Sequence, residues 1–380
     1  MRENKNLYTD FNGSPAFATA NIPIAIASSD EYSPFLGVLI HSILVNSSVE
    51  NNYDIVVLSK GITAYNRALI NKIVAGHQNF SIRYFDITNY LDKYKFHTDY
   101  HITVMTYSRL AMIDIFKNYD KAIYLDCDVV INDDIANLFN NDLGDNFIGA
   151  ARDTVICGWV NLEKEAQGIM LDETREEQLE YNTNILGISE KFNYFNAGVI
   201  LLNLKELRKF YHGEDLLKMG ASRDWKWFDQ DVLNKVCHRK TLLLSQKWNV
   251  MSHDLHKEGL AAEEMAPDFI YDEYMEARND PKGIHYCGHC IPCFTPYVDN
   301  AELFWKYARE TEFYEKILFI MMHTAAYDIK NLTPKLSFAR RIADKLLPKG
   351  SYRRELLKKI MPRGSKQFEF LKWFYHKVTL

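Results

Sequence analysis

Tyr124-Leu125-Asp126-Cys127-Asp128-Val129-Val130 decides how the rest of the chain is read. The string is hydrophobic except for two carboxylates at positions i and i+2, and residues 122–125 have the character of a buried strand. Aspartates are common in surface turns, so the spacing alone carries little. The apolar flanks change the reading, because two buried acids without a counter-charge are costly and a single cation would relieve both. Oxygen ligands suit Mg²⁺ or Mn²⁺, ions that also grip substrate phosphates.

Strand-then-helix units repeat on either side of this stretch. Residues 22–28 read as a buried strand, and Pro34 opens a helix marked by Leu36, Leu39, Ile40, Ile43 and Leu44. Strands over residues 53–58 and 81–87 follow, the first leading into a helical pattern that ends near Gly76, the second into a helix over residues 107–116. Residues 147–151 and 195–202 continue the strands, and 240–244 and 283–286 add two short ones. Residues 158–190 form a polar, helix-prone insertion. This alternation predicts an α/β architecture: a mostly parallel, Rossmann-like sheet with helices on both faces. After Ala301 the pattern is helical to the end, with boundaries at Pro334, Pro348 and Pro362. The expected organisation is an N-terminal tail over 1–20, an α/β domain over 21–300 and a helical C-terminal region over 301–380.

Composition narrows the class. Hydrophobic residues at 47% and charged residues at 25% are the balance of a globular protein. Arg2, Glu3, Lys5 and Asp10 interrupt the first twenty residues, and no apolar run approaches the eighteen or so that cross a bilayer. Six cysteines without a disulfide-like spacing fit a reducing compartment, so a cytoplasmic location is expected. The net charge of -5 divides unevenly: residues 335–380 carry about +10, leaving an acidic body. That balance argues against nucleic acid as a partner of the body. Arg340, Arg341, Arg353, Arg354, Lys358 and Lys359 alternate with Phe368, Phe370, Trp373 and Phe374 and neighbouring leucines. Such a tail is expected to attach peripherally to an anionic membrane surface.

In open parallel sheets ligands gather beyond the carboxyl ends of strands, where strand order reverses. Two such ends are polar here, Ala27-Ser28-Ser29-Asp30 and Asp126-Cys127-Asp128. Further segments are Thr106-Tyr107-Ser108-Arg109-Leu110, Phe195-Asn196-Ala197-Gly198-Val199, Asp229-Gln230-Asp231 and His285-Tyr286-Cys287-Gly288. In this order and over about residues 22–295, they resemble glycosyltransferase family 8. These retaining enzymes include bacterial lipopolysaccharide galactosyl- and glucosyltransferases and glycogenin. The resemblance implies the glycosyltransferase A type of fold, a UDP-sugar donor and a saccharide or glycolipid acceptor, in polysaccharide or lipopolysaccharide synthesis. It places Ala27, Ser29 and Tyr32 at the uracil, and Arg109 at the donor's sugar or phosphate, a task that suits a planar fork of donors. Asp126 and Asp128 become metal ligands with His285 as the third, and an imidazole favours Mn²⁺, with Mg²⁺ as the alternative. Asn196 and Ala197 orient the donor sugar, Gly198 permits close backbone approach, and Asp153 and Asp229 hold sugar hydroxyls. Gly288 and Cys127 belong to the same nucleotide-sugar-binding set, Cys127 as a small filler rather than a metal ligand. Gln230 falls beneath the anomeric carbon. An amide is a poor nucleophile and no base, so same-face substitution with retention is expected.

Two positions depart from the family pattern. The last motif commonly continues His-x-x-Gly-x-x-Lys-Pro-Trp, and here Ile291 replaces the lysine that contacts the donor diphosphate. Ser29 stands where an aspartate often meets the base. His289 is a candidate substitute cation; a nucleotide-sugar-binding protein without turnover is the alternative function. Cys287, Cys290 and Cys293 with His285 and His289 also offer half of a zinc site, whose second half is missing from the sequence.

Overall fold

The computed structural model describes residues 10–98, 103–163, 174–253, 262–288 and 290–332, with side chains as far as residue 325. The chain forms two compact units, residues 1–321 and 322–380. Of the second, the described residues, up to Leu332, are helical. His289, the basic tail, its prolines and part of the 158–190 insertion lie outside the described residues.

Ten strands are found among the described residues: β1 (Asn21–Ser29), β2 (Asn52–Lys60), β3 (Phe80–Asp86), β4 (Lys121–Asp126), β5 (Val129–Ile131), β6 (Ile148–Arg152), β7 (Phe195–Asn203), β8 (Thr241–Leu243), β9 (Val250–Met251) and β10 (Gly283–His285). Seven make one sheet in the order β3-β2-β1-β4-β7-β6-β8. Only β7 runs antiparallel to its neighbours, so the expected mostly parallel sheet is borne out. Order reverses between β1 and β4, whose carboxyl ends lie side by side with Ala27 opposite Asp126.

Alternation at period two accounts for the layers. Ile22, Ile24 and Ile26 of β1, with Ile123 and Leu125 of β4, face one core. Ala25, Ala27 and Tyr124 face the other. A parallel sheet covered on both faces needs apolar residues in both registers. The first core is closed by α1 (Ser33–Val45) and by Phe304, Tyr307, Phe313 and Ile317 from the later helices. The second is closed by the segment Val104–Ala111 and the helices Gly213–Gly220 and Phe228–Cys237.

Two differences from the sequence reading bear on the site. Residues 104–111 wind as a 3-10 helix, continued by one turn of α-helix, Met112–Ile115. The Arg109 Nε–H bonds the Thr106 carbonyl, the acceptor an α-helix would offer to residue 110. The second difference is β5 and β9, which the sequence did not signal; with β10 they form a small sheet ordered β5-β10-β9. No helix among the described residues is long and apolar enough to cross a membrane.

Candidate functional site

Asp126 is the last residue of β4, and Asp128 lies just beyond it, before β5. Because β5 pairs antiparallel with β10, Val129 faces His285, and the Tyr286 N–H donates to the Asp128 carbonyl at 3.0 Å. The small sheet thus brings His285 beside a turn made nearly 160 residues earlier. Its Nε2 lies 3.4 Å from Asp128 Oδ1 and 3.9 Å from Asp126 Oδ2. One ligand atom from each of the three residues falls within 4.8 Å of the others, the one such cluster among the described residues.

Asp126 is oriented for this role. Its Oδ1 accepts from Arg109 Nη2 at 2.7 Å and from the Tyr124 hydroxyl at 3.0 Å, leaving Oδ2 toward His285. Burial raises the Asp126 pKa, Arg109 opposes this and Asp128 adds to it. For His285, burial alone would lower the pKa, but Asp128 and Asp126 outweigh it and raise it. Two crowded carboxylates and an imidazole thus favour positive charge at this place. A divalent cation fits the same place: the donor set is two carboxylates and an imidazole, and their ligand atoms already converge.

Arg109 is buried between two acids, 2.7 Å from Asp126 and 2.8 Å from Asp229, with its guanidinium 4.4 Å from the Tyr124 ring centre. It also donates to the Ala197 carbonyl and to the Thr106 hydroxyl. Asp229 accepts from the Thr106 hydroxyl, and burial pushes its pKa up to about 6 against the pull of Arg109.

A second polar chain starts at Asp153, which caps the helix Thr154–Trp159 by accepting from the Ile156 N–H at 3.0 Å. Its Oδ2 accepts from Asn196 at 3.0 Å and from Gln230 at 3.1 Å. Gln230 Oε1 accepts in turn from the Ala197 N–H at 2.9 Å. Just before Asp229 and Gln230, Phe228 has φ +53°, a left-handed backbone at a bulky residue that sets the entry to their helix.

Gly198 owes its place to His285. A Cβ there would stand 2.2 Å from the imidazole Cε1, so the ring occupies the volume a side chain would need. Ser29 lies opposite Lys60 between β1 and β2. Tyr32 precedes α1, half-buried, its phenol pushed up to about 12 by burial and by Cys127 and Asp128 nearby. Cys127 packs against the apolar core. Gly288 takes φ +63° in the turn after β10.

Ile291, in the position of the family's lysine, is buried in the apolar core. Cys293 is buried too, its thiol pushed up to about 12 by burial. Among the described residues the three clustered cysteines do not form a metal-ligating group. Sequence reasoning missed Asn249, whose Oδ1 lies 3.2 Å from His285 Nδ1, and gave no role to Thr106 or Tyr124. A lone amide between Trp248 and Val250 was the available signal, since a buried amide must be partnered.

A switch-point sheet carrying convergent acids and an imidazole defines the glycosyltransferase A type of fold, and comparison with solved structures agrees. The bifunctional glycosyltransferase WbbM superposes with a TM-score of 0.70 at 28% identity, over 81% of this chain and 53% of that one. The galactosyltransferase LgtC, solved with donor and acceptor sugar analogues, gives 0.58 at 23% identity, over 77% of this chain and 96% of that one, a likeness of fold. The chain belongs to glycosyl transferase family 8, whose model matches residues 23–292. A putative glycosyltransferase of Haemophilus influenzae is 29% identical over 246 residues, 61% of this chain and 64% of that protein. The lipopolysaccharide 1,2-glucosyltransferase of Escherichia coli K12 is 31% identical over 134 residues, 35% of this chain and 34% of that protein. The chain thus spans somewhat under two thirds of the Haemophilus protein and about half of WbbM.

Replacing Arg109 leaves Asp126 and Asp229 buried without their shared counter-charge. Arg109→Leu is expected to destabilise the fold by about 3–5 kcal/mol, read from urea unfolding of the metal-free protein.

Proposed function

We propose that this protein is a metal-dependent, retaining hexosyltransferase that moves a sugar from a UDP-sugar to a saccharide or lipid-linked saccharide. The observation that carries the reading is the convergence of Asp126, Asp128 and His285 at the strand-order reversal. Beside it lie Asp153, Asn196 and Gln230, linked by hydrogen bonds, and Asp229, paired with Arg109. The three ligating residues would hold Mn²⁺, or Mg²⁺, which when bound neutralises charge on the donor diphosphate. Ala27, Ser29 and Tyr32 flank the carboxyl end of β1 and are assigned to the nucleobase.

The donor sugar is assigned to Asp153, Asn196, Ala197 and Asp229. Arg109 acts on the donor mainly by holding Asp126 and Asp229, since its contacts are with them, Thr106 and Ala197. Gln230 presents an amide fixed at both ends, its oxygen on the Ala197 N–H and its nitrogen on Asp153 and Tyr194. Such a group positions and polarises but forms no stable ester. The acceptor hydroxyl therefore attacks on the face the diphosphate leaves, its proton passing to the departing phosphate oxygen, and the product keeps the α configuration. The likeness to the E. coli lipopolysaccharide enzyme supports a cell-surface glycan as acceptor. The basic tail is assigned to the anionic inner face of the membrane, each cation contributing about 1 kcal/mol.

The burial of Ile291 favours a second reading, a nucleotide-sugar-binding protein that does not turn over, because the leaving-group lysine is absent. Donor hydrolysis separates the two: a transferase releases free sugar slowly with Mn²⁺ across a screen of UDP-sugars, and a binding protein releases none. Asp126→Asn and Asp128→Asn are each expected to lower Mn²⁺-dependent turnover by about 100-fold or more. EDTA should abolish it. NMR of the transfer product should show an α linkage; a β linkage from an α donor would refute retention. A chain ending at residue 334 is expected to stop sedimenting with phosphatidylserine vesicles, and unchanged sedimentation would remove the membrane assignment.

A further inference from the structure

Asn249 is buried, lies between strand β9 and the turn before it, and belongs to none of the family segments. Its amide joins the two halves of the site: Nδ2 donates to Asn196 Oδ1 at 2.9 Å, and Oδ1 lies 3.2 Å from His285 Nδ1. The orientation of each amide in this chain is fixed by groups that have no alternative role. Asn196 Oδ1 accepts from the Gly198 backbone N–H at 2.9 Å, and a backbone N–H can only donate. Asn196 Nδ2 points at the Asp153 carboxylate, which accepts. The oxygen of Asn196 therefore faces Asn249, so Asn249 must turn its NH₂ that way and its oxygen to the imidazole. An amide oxygen only accepts, and His285 Nδ1 must carry a proton.

We infer that Asn249 is a positioning residue that sets the His285 tautomer, keeping hydrogen on Nδ1 and the Nε2 lone pair directed between Asp126 and Asp128 for a divalent cation. The inference rests on the metal-dependent reading above. It follows that a backbone N–H of β7, through two amides, determines which imidazole nitrogen is free to ligate. Gly198 participates twice, giving the N–H that fixes Asn196 and the space that admits the ring. Partners of this kind on a ligating histidine typically tune metal affinity by about 10–100-fold.

The test is a Mn²⁺ titration of the full-length, nucleotide-free protein, following free ion by EPR, with metal-free thermal unfolding as a check on folding. Asn249→Leu removes both contacts and is expected to weaken Mn²⁺ binding about 10–100-fold. Asn249→Asp keeps an acceptor for Nδ1–H but cannot donate to Asn196. It is expected to bind Mn²⁺ about as tightly as the wild type, while its KM for the UDP-sugar rises. A folded Asn249→Leu with unchanged Mn²⁺ affinity, or an Asn249→Asp as weak as the leucine variant, would overturn the inference. Ring ¹⁵N shifts of His285 in the wild type with Mg²⁺ give an answer independent of any variant: protonated Nδ1 supports it and protonated Nε2 overturns it. A wild type that takes up no Mn²⁺ at all overturns the metal reading, and this inference with it.

Discussion

Repulsion between the carboxylates of Asp126 and Asp128 is the constraint around which the polar interior is arranged. Oxygens within 4.8 Å repel by roughly 3–4 kcal/mol at an effective dielectric constant of about 20, and partial burial adds a desolvation cost to each. Arg109 offsets this from below, tied to Asp126 and to Asp229 at once. The imidazole of His285, beside both acids, has its pKa raised for the same reason. A divalent cation would relieve the same crowding, and one ligand atom from each of the three residues already converges. Fold and chemistry therefore share one electrostatic problem.

Much of this was legible along the chain. Unbroken apolar runs in β1 and β4 announced a sheet buried on both faces, and the acids at 126 and 128 stood out because their flanks are apolar. His285 was found through the family segment in which it stands, not through any local signal. The small sheet stayed hidden: β5 and β9 are three and two residues long, too short for periodicity to register, and their pairing depends on β10 from far downstream. Asn249 was hidden for the same reason, since its partners at 196 and 285 are brought together only by tertiary pairing. Gly198 was read as a place of close backbone approach to the donor, and in the structure the group that fills the space is the His285 imidazole.

Ile291 shows how one substitution changes what the surrounding residues must do. An isoleucine there joins the apolar core with Cys293 and Tyr286, consolidating the turn after β10 instead of extending a cation from it. On the proposed reading, positive charge for the donor diphosphate then comes from a ligated ion, from His289 or from residues outside this turn.

The order in which the chain is made acquires a meaning from this arrangement. All seven strands of the large sheet have left the ribosome by Leu243, whereas the imidazole emerges only with β10. A nascent chain can therefore hold every strand of the large sheet while still lacking His285 and the later segments that close its first core. The cluster of two acids and an imidazole is therefore completed late in synthesis, after the large sheet has all of its strands.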